Sequence, residues 1–180
     1  MSSVIRTDIQ NDTVSTALAR ADDALDDLTP LMEQLGQLMV VQTKKNFDAG
    51  TAPDGTPWAP KSETTKEAYR RRQAKGSVAV VSDRPLIGPN KMLSTQITFE
   101  ATSDTMDWGS NMVYAAVMQL GAAKGAFGTK SGIDKNGRAF AMAIPWGHIP
   151  ARPYLGIGPD DEMAILRAIE LWLTATTDAP

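Results

Sequence analysis

The chain has 180 residues, an apolar fraction of 42%, an aromatic fraction of 6% and no cysteine. That length suits one domain with a substantial aliphatic core, and the missing thiols exclude a disulfide framework, a thiolate zinc site and a cysteine nucleophile, which fits folding in a cytosol. The net charge of −3 argues against a dedicated nucleic-acid binder, and with no run approaching ~18 apolar residues neither an export signal nor a membrane partner is expected.

Charge is laid out in blocks: −5 over residues 1–60, +5 over 61–91, −3 over 92–120, +3 over 121–138 and −3 over 139–180. A chain built this way can complement copies of itself or a charged neighbour. The plainer reading is a set of solvated faces.

In chain order, residues 1–11 are polar and expected to fray. Residues 13–28 place Ala17, Leu18, Ala21, Leu25 and Leu28 at helical spacing, with Asp12 or Thr13 as the N-cap. Asp22, Asp23, Asp26 and Asp27 face away from that stripe and lack any calcium-loop spacing, so they read as a solvated face and not a metal site. Thr29-Pro30 restarts a helix, since proline suits a first helical position; Leu31, Leu35, Leu38, Met39 and Gln42 carry its stripe towards Phe47. Gly36 in the middle of that helix costs roughly 1 kcal/mol against alanine, which points to close approach by another group.

Residues 48–60 form a turn-rich loop in which Pro53-Asp54-Gly55 carries its own turn chemistry. Trp58, framed by Pro57 and Pro60, covers the edge of the core or anchors a neighbouring subunit. Lys61 to Lys75 is a basic helical segment containing Arg70, Arg71 and Arg72. Together with a β-prone run at 78–81 and a proline-broken loop it makes a basic arm, 61–91. The arginine triplet reads as solubility or contact with an acidic protein partner, with phosphate binding as the rival.

Alternation in Thr95–Glu100 and in Thr105–Trp108, joined by a short polar linker, predicts a hairpin. Tyr114 to Gly121 reads as a short helix ended by glycine. Residues 121–138, with Lys124 and Lys130, are glycine- and lysine-rich without periodicity and are expected to be a mobile loop; the Gly-x-x-x-x-Gly-Lys phosphate-loop pattern is not met there. Ala139 to Ile144 reads as a buried strand. Residues 149–161 contain three prolines and two glycines, a rigid connector that delivers Arg152 and Tyr154 at fixed positions. The last helix is expected from about Asp160 to Thr174, with acids at its positive end and Ile165, Leu166, Ile169, Trp172 and Leu173 buried.

These elements predict a single α+β domain, in which N-terminal helices and a C-terminal helix pack on a mainly antiparallel sheet, with long loops or arms. His148 is the only histidine and has no elbow serine, paired histidine or cysteine to work with, so no catalytic residue, cofactor or metal is expected.

Several pieces occur together in an order that resembles the phage virion morphogenesis family, the tail completion proteins of Mu-like and related tailed phages. They are Asn46-Phe47, the Pro-Asp-Gly-Thr-Pro-Trp-Ala-Pro run of 53–60, Trp108-Gly109-Ser110-Asn111, Tyr114-Ala115, Gln119-Leu120-Gly121, the Ile-Pro-Ala-Arg-Pro-Tyr-Leu-Gly run of 149–156, and Asp161 at the last helix. The resemblance spans about residues 30–175. It departs where the family often has histidine before Gln-x-Gly, which here is Met118, and where Lys91-Met92-Leu93 replaces the usual Gly-x-Leu. What it implies is a non-enzymatic virion protein of the tail or neck, made in the host cytoplasm. Such proteins form a ring, here expected to be a hexamer, at the head-proximal end of the tail, ending tube growth and joining tail to head. The implied partners are copies of itself, the tail tube protein and head–tail connector or neck proteins, with non-specific contact to DNA passing through the lumen. Trp58, Arg152 and Tyr154 are then expected near subunit or partner contacts, and the 61–91 and 121–138 segments facing the lumen or a partner. The rival readings are an adjoining neck ring, a DNA-binding protein using the Arg70–Arg72 block, and a hydrolase using His148.

Overall fold

The computed structural model describes residues 12–76 and 82–177; the expectations for 1–11 and for the run at 78–81 lie outside the described residues. The molecule is α+β, with the long helix α2 (Thr29–Ala49) at its centre. Helix α1 (Asp12–Asp26) precedes it. At the junction Asp27 accepts the Thr29 N–H at 3.0 Å, and hydrogen bonds from Thr29, side chain and backbone, hold the Asp27 carboxyl below its ordinary pKa. Pro30 lies in the first turn of α2, where its missing N–H costs nothing. The buried residues Leu31, Leu35, Met39, Thr43 and Phe47 recur every fourth position, so the stripe passes through Thr43 and not through the expected Gln42. Gly50, in the left-handed region at φ 75°, ends the helix by donating to Asn46 O at 2.8 Å, the usual work of glycine at that position.

The expected hairpin is present as β1 (Ile97–Ala101) and β2 (Met106–Ser110), antiparallel with Phe99 opposite Trp108. It packs on α2, and the point of closest approach is Gly36. A Cβ built there would lie 2.1 Å from Cδ2 of Phe99. The glycine is a notch for that ring.

Helix α3 (Glu63–Ala74) follows the proline-rich loop, capped by Ser62, whose Oγ accepts the Thr65 N–H at 3.2 Å; it buries no residue completely. Short helices α4 (Met92–Thr95) and α5 (Ala115–Leu120) flank the β1–β2 hairpin in the chain. Helix α5 ends at Gly121, where a side chain would collide with the backbone of Ile149 and Ala151 at 2.7 Å.

Two sequence expectations are corrected here. Residues 121–138 are not all loop: β3 (Thr129–Ile133) pairs antiparallel with β4 (Ala139–Ala143). This β3–β4 ribbon is a second two-stranded sheet, separate from β1–β2. Nor is the 139–144 strand buried, since every residue of β3 and all of β4 except the half-buried Ala143 are exposed. Alternating alanines mimic a core strand in sequence, but a ribbon with no sheet neighbour has both faces open.

Helix α6 (Pro159–Thr177) packs on α1 and α2. Its start is fixed by Asp161, whose Oδ2 accepts the Gly158 N–H at 2.9 Å while buried, the return half of a capping box. Ile165, Ile169 and Trp172 pack around Leu31, Leu35 and Ala168 as expected. Leu166 and Leu173 do not; they are 61% and 40% exposed. On α1, Leu18 and Leu25 likewise turn outward. The helices are apolar around more of their circumference than their internal partners cover.

The notch at Gly36 gives a direct test. Gly36→Ala gains about 1 kcal/mol of helix propensity but forces the half-buried Phe99 ring aside, and the expected net result is a loss of about 1–3 kcal/mol in denaturant unfolding. Paired with Phe99→Leu, the alanine costs less. A stabilised single variant would mean that the ring does not sit in the notch.

Candidate functional site

The part of the structure richest in long-range polar contacts is the meeting of two proline-rich stretches, 53–60 and 149–159. Prolines carry no N–H and cannot ladder like a sheet, so carbonyls in these stretches need donors from elsewhere. Side chains provide them. Trp58 Nε1 donates to Pro153 O at 2.7 Å. Arg152 Nε donates to Ala59 O at 2.7 Å, its Nη2 to Pro60 O at 2.9 Å and its Nη1 to Pro150 O at 3.4 Å. Asn46 Nδ2 donates to Tyr154 O at 3.4 Å. From α5, Gln119 uses both ends of its amide: Oε1 accepts the N–H groups of Tyr154 and Leu155 at 2.9 and 3.0 Å, and Nε2 donates to Leu155 O at 2.8 Å.

An aromatic cluster fills the space beneath. Phe47 meets Trp58 edge-on, with centroids 5.4 Å apart, and Tyr154 at 5.3 Å. Trp58 is 6% exposed, Tyr154 1% and Arg152 8%. Arg152 is held by carbonyls, and no ion pair among the described residues includes it; burial lowers its pKa from the ordinary guanidinium value. The three residues proposed from sequence as contact anchors are therefore brought together, but inside one copy. They form a buckle that sets the direction of α6.

The other five candidates lie on the surface in two places. Arg70, Arg71 and Arg72 are exposed on α3, where Arg71 pairs with Glu67 at 3.0 Å. Lys124 and Lys130 are exposed on or beside the β3–β4 ribbon. Arg72 also lines a cleft of about 920 Å³ between α3, the start of α4 and residues 146–152. Its cationic walls are Lys61, Arg72, Lys91 and Arg152, its aromatic walls Tyr69, Tyr114 and Trp146, and among the described residues no acidic side chain lines it. Lys61 closes one side by donating to Ser82 O and, at 2.6 Å, to Ile87 O, while lying 5.0 Å above the Tyr69 ring. Burial lowers its pKa, with the charge of Asp83 opposing and that of Arg152 adding. His148 is exposed at the rim, and no hydroxyl or carboxylate is hydrogen-bonded to it among the described residues, so the geometry activates no nucleophile there.

Sequence reasoning gave Gln119 and Asn46 no role, although each polar amide stood in one of the short pieces that carry the family resemblance. The available signal was the excess of proline nearby, since such backbone leaves carbonyls that amide side chains are suited to satisfy.

A proline-framed buckle, exposed apolar helix faces and a two-stranded ribbon make up a fold without a recognisable catalytic arrangement among the described residues. The sequence profile of the phage virion morphogenesis family matches residues 9–174, and the chain belongs to that family of phage structural and assembly proteins. It is also 27% identical over 157 residues to the Mu-like prophage FluMu G protein 2 of Haemophilus influenzae, covering 87% of this chain and 86% of that protein. No solved structure matches the chain. No described helix is long and apolar enough to cross a membrane.

Two measurements probe the buckle. Gln119→Leu keeps the shape but leaves two N–H groups and a carbonyl unpaired, and is expected to cost about 1–3 kcal/mol in thermal or denaturant unfolding; an unchanged stability would show the amide to be idle. Tyr154 supplies a pH signature. Burial, then the neighbouring Tyr114, raises its pKa, so the unfolded chain releases this proton before the folded one. Stability is lost as pH rises above the ordinary phenol value of about 10. In Tyr154→Phe the fall above that pH is expected to be shallower than in the wild type, and equal slopes would rule the coupling out.

Proposed function

We propose that this chain is a tail-completion protein. Copies assemble into a ring at the head-proximal end of the phage tail, end growth of the tube and provide the surface to which the head or neck joins. The observation that carries this reading is the distribution of apolar surface. More large apolar side chains are exposed than hydrophobic residues are buried among the described residues, and they concentrate on α1, α6 and the β3–β4 ribbon. Surface of that kind marks sites of interaction, which this reading assigns to other copies and virion proteins. Family membership supports it by giving the chain a part in building the virion.

The ring is a hexamer in this reading, its partners are the tail tube protein on one side and connector or neck proteins on the other, and the exposed cations of α3 and the ribbon touch passing DNA without sequence preference. Light scattering with negative-stain imaging tests it, first on the purified protein and then with purified tail tubes added. The expected outcome is a closed ring of about six subunits, free or capping one end of each tube. A protein that stays monomeric and leaves tube ends bare would reject the reading. Rings that bind only isolated heads would place the chain in the neck instead.

A further inference from the structure

The β3–β4 ribbon has one coherent apolar face. In its register Lys130 stands opposite Met142 and Gly132 opposite Phe140, and Ile144 continues the ladder by donating to Gly128 O at 2.8 Å. Strand alternation therefore places Phe140, Met142 and Ile144 on the same face as Lys130, with exposures of 38%, 45% and 38%. The Phe140 ring lies over Gly132, where an added Cβ would sit 3.1 Å from it. Among the named elements of the described residues the two strands of the ribbon pack chiefly on each other, and an isolated two-stranded ribbon is at best marginally stable in water. The ribbon and its approach are also cationic: Lys124, Lys130, Lys135 and Arg138 outweigh Asp134 for a net +3.

The complementary surface lies on the helix pair. Helix α6 carries a shallow groove of about 590 Å³ lined by Met163, Leu166, Arg167, Glu170, Leu171 and Thr174, and its three apolar members are each about 60% exposed, at 63%, 61% and 58%. The net charge of α6 is −3, and α1, which packs on it, is also −3. An exposed apolar, cationic ribbon and an apolar groove on an anionic helix pair are thus present on one molecule.

We infer that the β3–β4 ribbon of one copy docks on the α6 groove of the next copy, with its lysines against the acids of α6 and α1. The inference rests on the ring reading above and deepens it by naming the contact. Because the two patches are different surfaces of the same chain, the contact is head-to-tail and repeats until the rotation closes. Opposite charge sets its direction and disfavours ribbon-to-ribbon or groove-to-groove pairing.

The test replaces Phe140 with the photo-crosslinker p-benzoylphenylalanine in the full chain. Equal parts of light and ¹⁵N-labelled protein are mixed under ring-forming conditions, irradiated and mapped by mass spectrometry. Mixed-isotope cross-links into residues 159–177 are expected. Cross-links between copies that map elsewhere, or rings that form without cross-linking from this position, overturn the ribbon contact and leave the ring reading in place. Absence of rings, with and without tail tubes, overturns both. A second arm uses exposed charges. Lys130→Glu and Glu170→Lys are each expected to raise the concentration for half-assembly by about tenfold, and the two together to recover most of it. Failure of the pair to recover would also overturn the contact.

Discussion

The structure depends on how it satisfies backbone carbonyls in segments where proline has removed the donors. A buried carbonyl without a partner costs about 1–3 kcal/mol, and the two proline-rich stretches present several side by side. Trp58, Arg152, Asn46 and Gln119 answer them from four different places in the chain. Once those bonds exist, the connector has one path, Gly158 has one position against Pro53, and α6 leaves in one direction. Prolines that look like breakers in sequence act here as parts whose missing donors specify which side chains must come to them.

The same arrangement explains why an arginine is buried without a carboxylate. Its planar fork can reach three carbonyls, whereas an ion pair would pin it to one group and demand a second buried charge. Helix α2 is the other constraint. It serves the aromatic cluster through Phe47 and the α6 cluster through Leu31 and Leu35, with the Gly36 notch between them. Buckle and helix pair are therefore both anchored on a single element, α2.

Much of this was legible from local signals. The Pro30 restart, the glycine stop at Gly121 and the close approach at Gly36 each follow from one residue's backbone chemistry, and the hairpin follows from alternation on either side of a short polar linker. What was not legible depends on who faces whom. Sequence leaves Trp58 between the core edge and a subunit contact and expects Arg152 and Tyr154 near partner contacts; the tertiary arrangement buries all three between two distant proline-rich stretches of one chain. Leu166 and Leu173 fitted a helical stripe as well as Ile165 did; the side of α6 that α2 occupies decided between them. The ribbon escaped because Thr129 to Ile133 has no apolar alternation, and its pairing is dictated by β4.

The hydrogen bonds of the buckle span long stretches of sequence: 92 residues from Pro60 to Arg152, 95 from Trp58 to Pro153 and 108 from Asn46 to Tyr154. Local helices can form as the chain leaves the ribosome, but contacts of this separation wait for the second partner to be made. The Trp58 indole and the α2 end thus stay without their cover until 95 and 108 further residues, respectively, have been synthesised. The orientation of α6, and with it the direction in which its exposed apolar face points, becomes defined only after the 149–159 connector has been made. A protein whose task is to assemble in the right place gains from that timing, because a nascent chain has no finished face to offer a neighbour.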